Sequence, residues 1–288
     1  MAAILAVGIA TLDLIHEIDA FPAEDSERRA LTQQVVRGGN ATNTLVVLSQ
    51  LGHQTYWAGS LADDHASEVI QRDLQNYHVD MQACHHVTNA VTPLSMILLN
   101  RKTASRTISH YRDLPEYPLT AFKALSLQHY DWLHFEGRDV PAVAAMMQHV
   151  RATQKDIRIS VELEKPRDAI EALLPHADVV MCSRDYAQSQ GYTSAAEALN
   201  ALHTRNPHAL ISCTWGDKGA AAIDAQANLF QCEAQRIAQP LDTRAAGDVF
   251  NAGFIDALCQ GKSVQQSLAA AVALAGRKCA QMGLENLA

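Results

Sequence analysis

Short apolar runs alternate with longer amphipathic segments along most of the chain. The apolar runs predict strands at residues 4–9, 130–135, 157–163, 179–182 and 210–214. Between them, apolar residues recur about every 3.6 positions, for example over 140–150 and 195–202, which predicts helices. Strands that alternate with helices are typical of a parallel sheet with crossover helices. We therefore predict an α/β fold with a doubly wound and mostly parallel sheet.

Two stretches depart from this alternation. Residues 12–36 and 93–111 contain β-rich sequence with no intervening helix, which predicts a small antiparallel β-sheet lid outside the core. The core then comprises residues 1–11, 37–92 and 112–288. Near the C-terminus, 249–258 and 264–279 are predicted to be two helices, with Gly261 ending the first and Ser263 capping the second.

Composition and charge narrow the possible partners. The 288 residues include 23 Lys and Arg against 31 Asp and Glu, a formal net charge of −8 that disfavours nucleic acid. No stretch approaches the roughly 18 consecutive apolar residues of a membrane span, and the N-terminus lacks the basic region of an export signal. The six cysteines include no C-x-x-C pair, which predicts reduced thiols in a cytoplasmic protein.

The segment Asp242-Thr243-Arg244-Ala245-Ala246-Gly247-Asp248-Val249-Phe250-Asn251 carries the strongest chemical signal. Small residues lead directly into a predicted helix, whose first backbone N–H groups lack intrahelical partners and are able to bind an anion. Asp248 then stands beside the anion, where a carboxylate can take a proton from an attacking hydroxyl. The alternative is a tight turn in which Asp248 only caps the helix.

A second segment, Arg37-Gly38-Gly39-Asn40-Ala41-Thr42-Asn43, opens another apolar helix. Paired glycines permit close approach of a ligand, and Asn40 and Asn43 lie three apart on one helical face. Two carboxamides facing one pocket suit a polyhydroxylated substrate. The alternative is that Asn40 caps the helix and Asn43 faces solvent. Asp13 follows the first strand, where ligands commonly bind in open α/β sheets.

Other patterns carry less weight. Gly261-Lys262-Ser263 has the ending of a P-loop, but Asp256 stands where that motif needs a glycine. There is no G-x-G-x-x-G after the first strand, and no ligand cluster at zinc spacing surrounds His85, His86 or His134, so we predict no protein-held metal.

Together, segments 37–43 and 242–248 resemble the two signatures of the ribokinase-like (PfkB) carbohydrate kinases. Segments 24–27, 105–108, 134–138 and 160–167 resemble the ketohexokinase subfamily in matching order. The resemblance implies a Rossmann-like core and a small β lid that joins two chains into a homodimer as a clasp. It also implies ATP-dependent phosphorylation of a sugar hydroxyl, with fructose to fructose 1-phosphate as the first choice. Another ketose, a pentose such as ribose, and a catalytically weak sugar-binding sensor are the alternatives.

The resemblance also implies roles for individual residues. Asp248 would be the base, with the backbone of Ala245, Ala246 and Gly247 as the anion hole. The sugar would meet Asp13, Gly39, Asn40, Asn43, Arg106 and Glu136, with Asp25 reaching the neighbouring subunit's sugar. ATP would meet Arg184, Thr214, Trp215, Gly216, Gly219, Gly247 and Cys279. Mg²⁺ would be held through ATP phosphates and water, and a role for K⁺ is left open.

Three positions depart from the family pattern. Ala245 stands where most members have glycine, and its methyl group is expected to weaken the anion hole, which motivates the sensor alternative. Residues Ser183-Arg184-Asp185-Tyr186 replace an Asn-x-x-Glu that helps to organise magnesium, a replacement that the ketohexokinase subfamily shares. Arg244 replaces an apolar residue, and both a phosphate contact and a solvated side chain are open for it.

Overall fold

The computed structural model describes residues 1–103, 105–237 and 240–288. The strands of the described residues are β1 Ala3–Val7, β2 Thr11–Ile18, β3 Thr32–Gly38, β4 Gln54–Ala58, β5 Ser60–Ala62, β6 His85–Val87, β7 Leu94–Asn100, β8 Arg106–Tyr111, β9 Trp132–Glu136, β10 Arg158–Leu163, β11 Val179–Cys182, β12 Leu210–Thr214, β13 Ala220–Ile223 and β14 Leu229–Cys232. The α-helices are α1 Asn40–Gln50, α2 His65–Asn76, α3 Leu119–Lys123, α4 Val140–Thr153, α5 Arg184–Ser189, α6 Ala195–Arg205, α7 Ala246–Cys259 and α8 Val264–Cys279. Two 3₁₀ segments cover Ile170–His176 and Gly216–Lys218.

An eight-stranded sheet forms the centre of the molecule, in the order β14-β13-β12-β11-β10-β9-β1-β4. The six strands from β12 to β4 are parallel to their neighbours, and β13 and β14 add an antiparallel edge. The predicted doubly wound, mostly parallel α/β fold is confirmed. Each predicted strand lies in this parallel part, within one or two residues of its predicted ends.

Helices cover both faces of this sheet. Along β1, Leu5 and Val7 join one buried cluster, whereas Ile4 and Ala6 join the cluster on the opposite face. A strand that buries both faces is a nearly continuous apolar run, which is why the sequence pattern located these strands. None of the helices in the described residues combines the length and apolar character needed to cross a bilayer.

A separate four-stranded sheet, in the order β3-β2-β7-β8, lies over one end of the core and is called the lid below. The lid was predicted as antiparallel, but β2 and β7 run parallel, because two antiparallel hairpins lie side by side. Ala104, within the predicted lid stretch 93–111, lies outside the described residues. The residue boundaries between lid and core stay a prediction.

The last two helices form the pair predicted from the sequence. Ser263 precedes α8, and its hydroxyl accepts the Gln266 amide while the Gln266 side chain accepts the Ser263 backbone N–H. This reciprocal capping satisfies amides that the helix leaves unpaired. Gly261 lies just beyond α7 with φ 73°. The turn therefore fixes where α8 packs against α7.

Candidate active site

A cavity of about 600 Å³ lies between the lid and the carboxyl ends of the central strands. This is where ligands bind in open α/β sheets. The strands that end there deliver polar side chains: Glu136 ends β9, Glu164 follows β10, and Asp13 enters from the lid. Eight of the residues predicted from the sequence line the cavity: Asp13, Gly39, Asn40, Asn43, Arg106, Glu136, Ala245 and Asp248.

The start of α7 presents free backbone amides. The first helical hydrogen bond runs from Val249 N to Ala245 O, over 2.9 Å. The N–H groups of Ala246, Gly247 and Asp248 precede it and meet no protein acceptor in the part of the chain that the structure describes. Gly247 is exposed, and a Cβ there would meet nothing within 4 Å. An anion can approach this turn without displacing a side chain.

Ala245 occupies the N-cap position of α7 with φ 57° and ψ 10°, in the left-handed region. That conformation costs an L-residue about 1–2 kcal/mol relative to glycine. A glycine would adopt this conformation without that cost. Whether the methyl group of Ala245 weakens the anion hole stays a prediction. Because Ala245 is the cap and Asp248 is the third helical residue, the alternative of Asp248 as a capping residue is wrong.

Asp248 is held by a relay of side chains from α1 and β3. Asn43 Nδ2 donates to Asp248 Oδ2 over 2.7 Å, and Arg37 Nη1 donates to Asn43 Oδ1 over 2.7 Å. Arg37 Nε in turn donates to Asp73 Oδ2 at 2.6 Å. Asn43 is buried, so the alternative in which it faces solvent is wrong. Arg37 fixes which end of the Asn43 amide faces Asp248, a function that local spacing did not reveal.

Asn40 binds a carboxylate that the sequence interpretation left out of the site. Asn40 Nδ2 donates to Glu162 Oε2 over 2.9 Å, and Asn251 Nδ2 donates to Glu162 Oε1 over 3.0 Å. Gly39, not Asn40, occupies the N-cap of α1, so the capping alternative is wrong. A charged residue inside the buried stretch of strand β10 was the sequence signal for Glu162.

Three carboxyls are therefore buried at this site. Glu136 and Asp248 line the cavity, and Glu162 lies behind Asn40, to which it is hydrogen-bonded. Burial raises the pKa of each to about 8, and neighbouring carboxylates add to the rise. The hydrogen bond that Asn43 donates to Asp248 lowers the pKa of Asp248, and those that Asn40 and Asn251 donate to Glu162 lower the pKa of Glu162. These effects are smaller than that of burial. Ile9 N donates to Glu136 Oε2 over 2.5 Å. At neutral pH these three carboxyls therefore retain protons that isolated carboxyls would have lost.

We expect the free energy of unfolding to fall as the pH rises from 7 to 8.5. These carboxyls keep protons in the folded state that the unfolded chain has already lost, so raising the pH through 8 removes that stabilisation. Urea unfolding at constant ionic strength measures the effect, and we expect a loss of at least about 1.4 kcal/mol, the equivalent of one pKa unit.

The matched variant is Glu162→Gln, which removes one of the three titrating groups. Its unfolding free energy should depend less steeply on pH than that of the natural chain. Burial lowers the pKa of His134 to about 4 and also lowers the pKa values of His110 and His176, so these histidines change stability at lower pH and this window avoids them. A constant or rising stability between pH 7 and 8.5 would contradict the raised pKa values.

None of the residues assigned to ATP is among those that line this cavity, and most of them follow β11 and β12, whose carboxyl ends lie at the same edge of the sheet. Arg184 opens α5 after β11, and a Cβ on Gly216 would lie 2.7 Å from its Nη1, so the two residues are neighbours. Thr214 ends β12, and Trp215 N donates to Gly219 O over 2.7 Å to close the following turn. At the end of α8, Cys279 O accepts Leu241 N over 2.8 Å.

Two further residues have predicted contacts that the single chain leaves untested. Asp25 is exposed on the connection between β2 and β3, outside the cavity, and its approach to a second chain stays a prediction. Arg244 lines the cavity while its Nε and Nη2 donate to Asp242 over 2.8 and 3.0 Å. This ion pair argues against a solvated side chain, and a contact of Arg244 with phosphate stays a prediction.

This geometry suits the transfer of a charged group to a hydroxyl. An anion bound at the first turn of α7 would lie beside the buried carboxylate of the same turn, under a lid that limits access of water. The fold and the site thus define a kinase for small hydroxylated molecules.

Comparison with known proteins identifies the family. The model for the pfkB family carbohydrate kinases matches residues 1–287. Ketohexokinase of Mus musculus is 35% identical over 99% of this chain and 98% of its own length. Ribokinase of Thermotoga maritima superposes with a TM-score of 0.79 at 18% identity, covering 100% of this chain and 96% of that structure. Arabidopsis thaliana ribokinase complexed with ribose and ATP gives 0.78 at 20% identity, with 98% and 94% covered. The chain belongs to the pfkB family of carbohydrate kinases.

Proposed function

We propose that the chain is an ATP-dependent ketohexokinase that converts fructose to fructose 1-phosphate. The observation that carries the proposal is the buried Asp248 carboxylate beside three free amides in a cavity lined by hydrogen-bonding groups. The 35% identity with mouse ketohexokinase over nearly both full lengths supports a ketose as the acceptor.

In the proposed reaction, Asp248 accepts the proton of the sugar hydroxyl while that oxygen attacks the γ-phosphorus of ATP. The new O–P bond forms as the bond from the γ-phosphorus to the bridging oxygen of ADP breaks, and ADP leaves. Asp248 Oδ2 is engaged by Asn43, whereas Oδ1 has no hydrogen-bond partner among the described residues and would face the hydroxyl. The amides of Ala246, Gly247 and Asp248 would stabilise the negative charge that develops on the transferred group.

We assign the remaining polar residues of the cavity to the sugar and to the phosphates. Asp13, Asn40 and Glu136 would bind sugar hydroxyls alongside the Gly39 backbone, and Asn43 would act through Asp248. Arg106, exposed on β8, would approach the transferred phosphate from the lid. The residues that the sequence assigned to ATP would hold the nucleotide: Arg184, Thr214, Trp215, Gly216, Gly219, Gly247 and Cys279.

Magnesium would enter with the nucleotide. No group of three or more His, Cys, Asp or Glu side chains able to hold a metal occurs in the described ranges. Mg²⁺ dehydrates reluctantly and keeps several waters, so ATP phosphates and water would hold it, and it would neutralise charge on the β- and γ-phosphates. A cytoplasmic location would supply ATP and keep the six free cysteines reduced.

A coupled assay of ADP release across a panel of sugars tests this proposal. We expect the highest kcat/KM with fructose, and NMR of the product should show the phosphate on the 1-hydroxyl. Preference for ribose would instead assign the chain to the ribokinase type, as in the Arabidopsis thaliana relative named for ribose. Tight sugar binding without turnover would favour the sensor.

We also propose that the lid joins two chains into a homodimer. Strand register places Val35, Met96 and Tyr111 on one face of the lid, with 50, 52 and 59% of their surface exposed. Adjacent exposed apolar side chains are typical of protein interfaces. In such a dimer, Asp25 would extend to the sugar site of the second chain.

Light scattering after size exclusion should give twice the mass of one chain at micromolar concentration. Met96→Asp should shift the protein to monomer, because it buries a charge in the proposed interface. The matched control is Leu229→Asp on β14, where leucine is 43% exposed away from the lid. If the natural chain is monomeric, the dimer and the role of Asp25 are both wrong.

A further inference from the structure

His110 lies on β8, an edge strand of the lid, and lines the cavity. Every second residue of this strand does so, namely Arg106, Ile108 and His110, as the two-residue period of a strand requires. Arg106 is assigned to the transferred phosphate, and Ile108 is apolar. The proposed reaction therefore leaves His110 as the polar cavity residue of β8 without a role.

His110 shares a row with Asp13 across the lid. Strand register pairs Asp13 with Ser95 and Ser95 with His110, so the three side chains lie side by side on one face of the lid. All three line the cavity, and they are called the inner row below. Neighbouring strands are about 4.8 Å apart, which puts the backbones of Asp13 and His110 at about 10 Å from each other. A sugar held by Asp13 therefore lies along the inner row.

The histidine ring is oriented by a hydrogen bond within the inner row. Its Nδ1 lies 3.2 Å from Oγ of the buried Ser95. Nε2 has no hydrogen-bond partner among the described residues, so it is the ring nitrogen left for a ligand. If the serine hydroxyl donates to Nδ1, Nε2 carries the hydrogen and donates, and if the hydroxyl accepts, Nε2 accepts. A sugar hydroxyl suits both cases, because it can donate and accept.

The charges around His110 favour a neutral ligand. Burial lowers the pKa of His110, the guanidinium groups of Arg138 and Arg112 lower it further, and Asp13 acts in the opposite direction. The imidazole is therefore mainly neutral at pH 7. Arg138 Nε and Arg112 Nη1 form ion pairs with Glu116 Oε1, over 2.8 and 2.6 Å. A neutral ring beside two paired cations suits a hydroxyl better than a phosphate.

The strand order of the lid places His110 across the cavity from Asp248. β3 is one edge strand, and Arg37 near its end contacts Asp248 through Asn43. β8 is the opposite edge strand, three strand spacings or about 14 Å away. A sugar whose reacting hydroxyl meets Asp248 thus extends its other end toward β8. In fructose with the 1-hydroxyl at the base, that end carries the 6-hydroxyl.

We propose that His110 is a specificity-determining residue that binds the 6-hydroxyl of fructose through Nε2 and thereby selects a six-carbon ketose over a shorter one. The inference rests on the proposed function, because that function sets which hydroxyl lies at Asp248. This contact is the same before the reaction and in the transition state, so it contributes to binding and not to phosphoryl transfer.

The first experiment measures kcat/KM for fructose and for 6-deoxyfructose with the natural chain and with His110→Leu. We expect His110→Leu to lose about three- to tenfold with fructose, the size of one neutral hydrogen bond, and less than about twofold with 6-deoxyfructose. The loss should lie in KM and leave kcat near its natural value. Dividing the loss with one sugar by the loss with the other cancels any difference between the sugars in solution. Equal effects on both sugars would overturn the proposal.

Two further variants show whether the effect belongs to the imidazole. His85→Leu makes the same change at an exposed histidine of β6, outside the cavity, and should leave kcat/KM for both sugars unchanged. His110→Gln keeps a side chain that can donate and accept a hydrogen bond, so it should retain part of the preference for fructose. If His110→Gln is as indifferent to the 6-hydroxyl as His110→Leu, the hydrogen bond is not the cause and the proposal is wrong.

Calorimetric sugar binding without ATP separates this inference from the proposed reaction. The natural chain should bind fructose more tightly than xylulose, a ketose that lacks the sixth carbon, and His110→Leu should lose most of that difference. If this pattern holds but no sugar is phosphorylated, the proposed function fails and the role of His110 stands. If fructose 1-phosphate forms but both proteins bind the two sugars in the same ratio, the role of His110 is wrong and the proposed function stands. Tighter binding of fructose 6-phosphate than of fructose would also overturn the role of His110, because it would place an anion site at this end of the cavity.

Discussion

Asp248→Asn should lower kcat by about 10²–10⁴, the contribution typical of a general base. Asparagine has nearly the same shape and can still accept the hydrogen bond from Asn43 through its carbonyl oxygen, but its amide cannot take a proton from the sugar hydroxyl. The sugar KM should change little, because the hydroxyl contacts proposed for Asp13, Asn40 and Glu136 are untouched. Steady-state kinetics with the best sugar of the panel measure both quantities.

The matched control is Asp256→Asn, eight residues further along α7. Asp256 is also buried, but it binds His53 and Gln260 away from the cavity. Losing its charge should lower stability and leave kcat unchanged. An Asp248→Asn protein that turns over at the natural rate would remove Asp248 as the base. A loss of equal size in both variants would point to a general disturbance of α7.

The electrostatics of the cavity favour Asp248 for the role of base proposed for it. A carboxylate at the start of a helix is ordinarily stabilised as the anion, but burial and the neighbouring carboxyls raise the pKa of Asp248 to about 8. A base whose pKa lies near the working pH has a greater driving force to accept a proton. Arg37, through Asn43, limits this rise and keeps the carboxylate in one orientation.

The sequence was sufficient for features that depend on neighbours along the chain. Buried parallel strands produce apolar runs, so β1, β9, β10, β11 and β12 were each predicted. The start of α7 was also predicted, since small residues before an apolar helix signal a bare helix terminus.

Contacts between distant segments could not be read from spacing. The relay from Arg37 through Asn43 joins Asp248 across more than 200 positions, and Glu162 meets Asn40 across 122. From the sequence alone, Asn40 could be a helix-capping residue. In the folded chain its side-chain amide instead donates a hydrogen bond to Glu162. Lys278 is one of two basic residues in the last turn of α8, and only packing decides that it is buried while Arg277 is exposed.

Gly39→Ala should be the most damaging of the small substitutions around the cavity. Gly39 has φ 109° and ψ 128°, and a Cβ would lie 2.3 Å from the backbone oxygen of Ile9 and 2.9 Å from Ala10 Cα. The dihedral strain alone costs about 1–3 kcal/mol, and the collision is with backbone that cannot rotate away. We expect the free energy of unfolding to fall by about 3 kcal/mol or more.

The same change should weaken sugar binding, because Gly39 sets where α1 begins and therefore where Asn40 and Asn43 point. Urea unfolding and the sugar KM measure the two effects, and we expect the KM to rise by at least about tenfold, equivalent to 1.4 kcal/mol. Gly52→Ala is the matched control at the other end of α1, with φ 88° and no atom within 4 Å of a new Cβ. It bears the dihedral cost without the collision, so its sugar KM should stay unchanged. Equal losses of stability in the two variants would show that backbone strain, and not the contact with Ile9, governs this turn.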